Sequence, residues 1–263
     1  MRDIEPLDVV AWLRGLKRKD GRPGELAGGT KRLIFDVLST VLDYAVEKKA
    51  LNANPCKQIP RKAKPKSGTL DARILSLEEQ DALLAACSPW LRPIVVTALL
   101  AGLRLGEVCG PRWGDVDFEA EKLHIRRTLS MADGKSFGSP KGGREQAIDL
   151  NPQLRALLFE LPTRFGGAEA PVFQTQRSGK HLHPRCVHDG FTRARDKTLS
   201  DKPRRFRFHD CRHTCASRLV NGGLPATWVQ GYLRHADLAT TLRYLHPDGD
   251  ESRKAEAWAA LGG

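Results

Sequence analysis

The sequence predicts a mainly α-helical protein with a small antiparallel sheet, divided into two domains. Apolar residues recur at helical spacing along most of the 263 residues, whereas three short stretches alternate with a period of two. A basic, proline-containing stretch with little to bury separates the first 56 residues from the rest. We therefore expect a helical domain over residues 1–56, a basic linker over residues 57–74 and a mixed α/β domain over residues 75–263.

Two helices are expected in the first domain. Residues 7–17 place apolar side chains at helical spacing, and residues 30–49 do so over a longer stretch. The glycine- and charge-rich residues between them indicate a loop, and Asn52-Ala53-Asn54-Pro55 ends the second pattern. The longer helix carries one apolar stripe, made of Leu33, Val37, Val41, Tyr44 and Ala45.

The second domain begins with a capping box, in which Ser76 and Glu79 satisfy each other's backbone N–H groups. The helix that follows is expected to end near Cys87. Pro93 suits the first turn of a second helix, and Gly102 marks the end of that helix. Because the second helix is largely apolar, it is expected to lie in the core.

A charged pair follows this buried helix. Arg104 and Glu107 lie just past its end, where a charged pair costs stability unless it is partnered or bound to a ligand. The pair therefore either forms a structural ion pair or belongs to a binding site.

Residues 115–118, 122–127 and 146–150 alternate with period two and predict a small antiparallel sheet. The loop before the last of these strands carries Lys141 beside glycines, which let the backbone bend so that the ammonium group can enter a neighbouring site. Lys135 is the other lysine of this region that could enter such a site. Two further helices are expected, over residues 151–161 and 184–197.

Residues 208–247 hold a dense group of reactive side chains. His209 and Arg212 are three positions apart, so on a helix they share a face and can converge on one small anion, which we expect to be a phosphate. If the helix begins near His209, its free backbone N–H groups and its dipole favour the same ligand. His235 and Tyr244 then supply a second proton carrier and a phenol that could attack the phosphate.

The composition indicates a polyanionic partner. A net charge of +12 and a pI near 9.7 favour nucleic acid or an anionic membrane face. No apolar run approaches the ~20 residues of a membrane span, and the amino terminus lacks a signal-peptide core, so we expect a cytoplasmic protein without a membrane partner. The six cysteines include no Cys-x-x-Cys pair and are expected to be reduced.

Three blocks of sequence together resemble the tyrosine recombinases, the phage-type integrases that cut and rejoin DNA through a phosphotyrosine. The blocks are residues 97–107 with Arg112-Trp113 after them, residues 139–145, and residues 208–247. In order and spacing they match the family's Arg, Lys, His-x-x-Arg, His and Tyr. The resemblance implies a tyrosine-recombinase catalytic domain over residues 75–263 and a partial helical core-binding domain, which clamps DNA, over residues 1–56.

The resemblance implies a site-specific recombinase or integrase that uses neither a metal nor a cofactor. Its catalytic residues would be Arg104, Lys141, His209, Arg212, His235 and Tyr244, with Glu107 in support. The two arginines would bind the non-bridging oxygens of the phosphate, and the two histidines would assist proton transfer. Lys141 would protonate the 5′-hydroxyl leaving group, while Tyr244 attacks and forms a 3′-phosphotyrosine.

The same resemblance implies double-stranded DNA as the partner, with a monomer in free solution and a homotetramer when synapsed on DNA. The basic linker would lie along the duplex. The stripe of Ala255, Trp258 and Leu261 in the tail would dock on a neighbouring protomer, as in the family, or on its own domain. Because members of the family usually carry more helices in the core-binding domain, we expect weak, salt-dependent DNA binding by this chain alone.

Other function classes fit parts of the pattern. His209, His213 and Cys215 could suggest a zinc hydrolase, but Arg212 between the histidines would oppose a dication, and Asp210 is shorter than the glutamate base of that chemistry. A type IB topoisomerase shares most of the residue set and would relax strands rather than exchange them. A non-catalytic DNA-binding module is disfavoured because the full set of chemical residues is present.

The chain departs from the family's pattern in three places. Arg234 stands where glycine is usual before the second histidine, Pro111 precedes Arg112-Trp113, and Cys211 stands where leucine is common. We expect these departures to change local geometry rather than the reaction.

Overall fold

The computed structural model describes residues 4–18, 25–66, 73–139, 145–201, 204–235 and 237–242. Backbone contacts divide the chain into two compact units, Met1–Asp71 and Ala72–Gly263. In the described ranges, no helix is both long enough and apolar enough to cross a bilayer. Lys141, Tyr244 and the tail stripe around Trp258 lie outside the described residues.

The first unit has three helices in its described part: α1 (Pro6–Gly15), α2 (Gly28–Glu47) and α3 (Pro55–Gln58). Asn54 caps α3, because its side-chain oxygen accepts from the backbone N–H of Cys56 at 2.9 Å, and its amide nitrogen donates to Asp43 of α2 at 2.9 Å. Cys56 and Ile59 are buried in this unit's core. The expected linker over residues 57–74 therefore overlaps packed structure where it begins.

The apolar stripe predicted on α2 is not the face that packs. Leu33, Val37, Val41 and Tyr44 are between 57% and 64% exposed, whereas Phe35 and Leu42 are 3% and 6% exposed. Phe35 and Leu42 pack with Val9 and Leu13 of α1. Both sides of α2 carry apolar residues, and the buried side is the one that packs with α1, α3 and Ile59.

The second unit combines helices with two small sheets. Its helices are α4 (Leu77–Ala86), α5 (Arg92–Ala101), α6 (Leu105–Cys109), α7 (Pro152–Glu160), α8 (Pro184–Thr198), α9 (Asp210–Asn221), α10 (Ala226–Leu233) and α11 (Leu238–Leu242). Its strands are β1 (Val116–Asp117), β2 (Lys122–Ile125), β3 (Thr128–Leu129), β4 (Phe137–Gly138) and β5 (Gln146–Asp149). Strands β1, β2 and β5 form one antiparallel sheet in the order β1-β2-β5, and β3 and β4 form a hairpin. This confirms the predicted mainly α-helical fold with a small antiparallel sheet.

Local sequence signals explain how several of these helices begin. The Ser76 hydroxyl accepts from the Glu79 N–H at 3.1 Å, and the Glu79 carboxylate accepts from the Ser76 N–H at 3.2 Å, which confirms the predicted capping box. The Asn151 side chain accepts from the Leu154 N–H at 2.9 Å and so caps α7. These bonds satisfy backbone donors that a helix start otherwise leaves unpaired.

Helix α5 lies in the core and packs along α9. Its residues Ile94, Val95 and Ala98 are fully buried. Gly102 ends the helix with φ +60°, in the left-handed region that glycine adopts without strain. A β carbon on Gly102 would overlap the Leu233 side chain, so glycine also permits the close approach of α10. This turn brings the end of α5 against α9 and α10.

Candidate active site

Arg104 and Glu107 form an ion pair where α6 begins. The Arg104 guanidinium donates to Glu107 Oε1 at 2.7 Å, and the Arg104 backbone N–H donates to Oε2 at 2.9 Å. Glu107 is 1% exposed, while the Arg104 side chain is 29% exposed. The buried carboxylate therefore anchors a guanidinium that still reaches solvent.

Glu107 has a second cationic partner. The Arg234 Nη2 group donates to Glu107 Oε2 at 2.7 Å, and Arg234 is itself 8% exposed. Burial opposes ionisation of Glu107, but the charges of Arg234 and Arg104 and the backbone hydrogen bond outweigh it and hold the pKa of Glu107 below its usual value. The carboxylate is therefore ionised at neutral pH although it is buried.

Arg212 is the most deeply placed cation of the site, at 1% exposure. From α9 its Nη1 group donates to the Gly102 carbonyl at 2.7 Å, and its Nη2 group donates to the Leu233 carbonyl. Its Nε donates to His235 Nε2 at 3.3 Å. These acceptors are neutral, so they position the guanidinium without cancelling its charge.

His235 lies between Arg212 and α11. Because an arginine only donates, the Arg212 contact requires His235 Nε2 to act as the acceptor, which assigns the ring proton to Nδ1. Nδ1 lies 2.8 Å from the Thr241 hydroxyl and donates to it. Burial and the charges of Arg212 and Arg104 lower the pKa of His235 to about 4. The imidazole is therefore neutral at pH 7.

His209 immediately precedes α9 and shares this environment. Burial and the charges of Arg212 and Arg104 lower its pKa as well. The same two guanidinium groups thus act on both histidines, and the structure brings together Arg104, His209, Arg212 and His235, which come from three separate parts of the sequence. Such a group of two cations and two neutral imidazoles suits a small anion.

One expectation about this anion site is wrong. The first N–H groups of α9 are not free for a ligand, because those of residues 210–212 donate to the carbonyl oxygens of residues 207–209 at 2.8, 3.1 and 3.1 Å. The Asp210 carboxylate, which is fully buried, also lies at this helix start and accepts from Arg204 at 2.9 Å. These N–H groups are therefore not free to bind an anion, and the positive charge near the site is carried by the side chains of Arg104 and Arg212.

The side chains that could suggest a zinc site make other contacts. The His213 ring packs edge to face on the His209 ring, with centroids 4.9 Å apart. Cys215 points its thiol at the Leu100 carbonyl, 3.5 Å away. Over the described part of the chain, no three His, Cys, Asp or Glu side chains are grouped so that they could hold a metal ion.

Sequence reasoning misses some contacts of the cluster. The sequence marks Arg234 only as a departure from glycine, and the bond from Arg234 to Glu107 cannot be read from it. Thr241 stands out only as part of the segment before the tyrosine, although it is fully buried against His235. Lys135, the rival lysine, is exposed in the turn between β3 and β4, where its N–H donates to Asp133 at 3.0 Å.

Comparison with known proteins identifies the family. A model described as the phage integrase family matches residues 73–251, which include every predicted catalytic residue. The chain belongs to the phage integrase family.

The alignments with individual relatives cover different shares of this chain. The tyrosine recombinase XerC of Xylella fastidiosa (strain 9a5c) is 32% identical over 152 residues, which is 56% of this chain and 45% of that protein. A tyrosine recombinase of Thermosipho africanus (strain TCF52B) is 25% identical over 255 residues, 94% of this chain and 81% of that protein. The first alignment thus spans less than half the length of its relative.

A solved structure shares the fold. The Tn1549 transposon integrase (residues 82–397, with Y379F in its own numbering), solved in complex with transposon right end DNA, superposes with a TM-score of 0.76 at 18% identity. The match covers 98% of this chain and 86% of that one.

Proposed function

We propose that this protein is a site-specific DNA recombinase that cleaves and rejoins double-stranded DNA through a 3′-phosphotyrosine at Tyr244. The observation that carries the proposal is the cluster of Arg104, His209, Arg212 and His235, in which burial and two guanidinium groups lower the pKa of both imidazoles. An anion would relieve the repulsion between these cations. A phosphodiester of DNA provides such an anion.

The cluster supports phosphoryl transfer without a metal. Arg104 and Arg212 bind the non-bridging oxygens and stabilise the charge that develops in the transition state. Arg212 is held by the Gly102 and Leu233 carbonyls, so it needs little rearrangement when the phosphate arrives. His209 and His235 are neutral before DNA binds, and the phosphate charge raises their affinity for protons. They hold the phosphate and assist proton transfer.

The nucleophile and the acid are assigned from the family pattern. Helix α11 ends at Leu242, shortly before Tyr244, and the bond between Thr241 and His235 ties this helix to the phosphate cluster. This anchoring supports Tyr244 as the attacking residue. Lys141 then protonates the 5′-hydroxyl leaving group. The phosphotyrosine retains the energy of the broken phosphodiester, so rejoining requires no ATP.

A basic cleft in the first unit supports DNA contact outside the active site. The cleft has a volume of about 610 Å³, and its lining includes Arg32, Arg61, Lys62, Lys64 and Lys66. Five cations around one cleft favour a polyanionic backbone over a single small anion. We propose that the DNA backbone runs along this cleft. We further propose that the protein is a monomer in free solution and a homotetramer on synapsed DNA.

The proposal is tested with nicked suicide duplexes taken from the genomic DNA that flanks the coding sequence. We expect the wild-type protein to form a denaturant-stable adduct, and Tyr244→Phe to bind DNA but form none, because only the attacking oxygen is lost. Tyr44→Phe is the matched control, since Tyr44 is 59% exposed and should keep full adduct yield. An adduct of normal yield from Tyr244→Phe contradicts the proposal. Exchanged product strands, as opposed to merely relaxed ones, separate recombination from topoisomerase activity.

A further inference from the structure

Arg234 takes an unusual backbone conformation next to the active-site histidine. It ends α10 with φ +58° and ψ +46°, in the left-handed region, and its N–H donates to the Gly231 carbonyl at 3.0 Å. A residue with a β carbon is strained by about 1–2 kcal/mol in this conformation, which glycine adopts freely. The chain therefore tolerates a local strain at this position that glycine would avoid.

The Arg234 side chain is turned into the protein. It is 8% exposed, and its guanidinium donates to Glu107 at 2.7 Å and to the Tyr232 carbonyl at 3.4 Å. Burial lowers the pKa of Arg234 and the Glu107 charge opposes that effect. A buried arginine–glutamate pair adds little net stability, because removing both charges from water costs about as much as their attraction returns. Stability alone does not account for this arginine.

The charge balance around Glu107 suggests what Arg234 does. Arg104 and Glu107 by themselves would form a neutral pair, in which the carboxylate offsets the positive charge offered to a phosphate. With Arg234 on the other side of the carboxylate, the three groups carry a net charge of +1. Glu107 then orients Arg104 through two hydrogen bonds while Arg234 neutralises the carboxylate.

We propose that Arg234 is a positioning residue that acts through Glu107: it neutralises the buried carboxylate, so that Arg104 is held in place and still presents an uncancelled positive charge to the scissile phosphate. The assignment of that phosphate rests on the proposed recombinase function. Arg234 itself makes no contact with substrate in this role.

Three variants separate charge from shape. Arg234→Met keeps most of the side-chain volume but removes the charge, and Arg234→Lys keeps the charge. Arg234→Gly removes the side chain and relieves the strain of the left-handed backbone, so it should fold even if the methionine variant does not. Thermal unfolding of each variant records any loss of structure.

The first measurement titrates each full-length protein with inorganic phosphate and follows the Arg104 side-chain Nε–H signal by NMR. We expect Arg234→Met and Arg234→Gly to bind phosphate about tenfold more weakly, the effect of one unit charge near a partly exposed site, and Arg234→Lys to stay within about threefold of wild type. Wild-type phosphate affinity in Arg234→Met, or an equal loss in Arg234→Lys and Arg234→Met, would overturn the proposal.

The second measurement follows single-turnover adduct formation on a suicide duplex. The rate constant at saturating protein should fall about tenfold in Arg234→Met and Arg234→Gly and recover in Arg234→Lys, while the Kd for DNA changes less than about twofold, because many other phosphates contribute to binding. A change confined to Kd would contradict the role of Arg234. If the wild-type protein itself forms no adduct, the proposed function fails, and the phosphate titration still decides the role of Arg234.

Discussion

Replacing Gly102 with alanine should destabilise the second unit by about 2–5 kcal/mol. Gly102 has φ +60°, where a residue with a β carbon is strained by about 1–2 kcal/mol. The added β carbon would also overlap Leu233 and lie 3.4 Å from the Cys215 sulfur. Leu233 is fully buried, so it has little room to move, and such overpacking costs about 1–3 kcal/mol. The two costs add to the stated range.

The effect should also reach the active site. The Gly102 carbonyl accepts from Arg212 at 2.7 Å, and the overlapping Leu233 supplies another carbonyl to the same guanidinium. A shift of the α5 end away from α10 would therefore move two of the groups that hold Arg212. We expect the adduct-forming rate of Gly102→Ala to fall even at temperatures where the variant remains folded.

Urea unfolding at fixed pH and salt measures the stability change. Gly231→Ala is the matched control, because Gly231 lies within α10, has no atom within 4 Å of an added β carbon, and should be stabilised by about 0.5–1 kcal/mol by the better helix former. A destabilisation of Gly102→Ala by less than about 1 kcal/mol, below the strain of the backbone alone, would refute the expected overlap and strain.

Three further outcomes are expected. Lys141→Ala should cleave ordinary DNA slowly but be largely rescued on a 5′-bridging phosphorothiolate, whose sulfur leaves without a proton; equal defects on both substrates would point to Lys135. Burial and the neighbouring His209, which would repel a second protonated ring, lower the pKa of His213 from 6.5 to about 4, so the unfolded chain takes up a proton first as pH falls. The stabilising contribution of neutral His213, which is complete above pH 6.5, should therefore fall by about 2 kcal/mol by pH 5, and urea unfolding of His213→Asn should lose stability less steeply as pH falls. Replacing Lys62 and Lys66 with glutamine should reduce the slope of log K against log salt by about 0.9 for each phosphate that is no longer neutralised; an unchanged slope would remove the basic cleft from the DNA path.

Helix ends are predictable where a short-range signal decides them. Ser76 with Glu79, and Gly102 after an apolar helix, each require only bonds or dihedral angles within a few residues. Such signals do not depend on the rest of the fold. The structure accordingly has these helix ends where the sequence predicts them.

Packing partners are not predictable in the same way. The sequence presents Leu33, Val37 and Val41 as a stripe on α2, but Phe35 and Leu42 on another side are the residues that pack in the core with α1 and α3. The β3–β4 hairpin, which has two residues in each strand, is absent from the sequence prediction. Both outcomes depend on which elements meet in space.

In the candidate site, too, the residues could be predicted but the contacts that hold them could not. The family resemblance implies that arginines and histidines gather around one anion, and these side chains do lie together. The contacts that hold them come from elsewhere: the Gly102 and Leu233 carbonyls position Arg212, and Arg234 completes the Glu107 ion pairs. A carbonyl can belong to any residue type, so its role leaves no mark in a sequence.

The measurement that tests the proposed reaction most directly is the chemical identity of the protein–DNA link. The wild-type adduct, trapped on a suicide duplex and digested with protease and nuclease, would be analysed by tandem mass spectrometry. We predict a nucleotide joined through its 3′-phosphate to the peptide that contains Tyr244. A link at Tyr44 or Tyr232, at a residue other than tyrosine, or through a 5′-phosphate would contradict the phosphotyrosine mechanism at Tyr244.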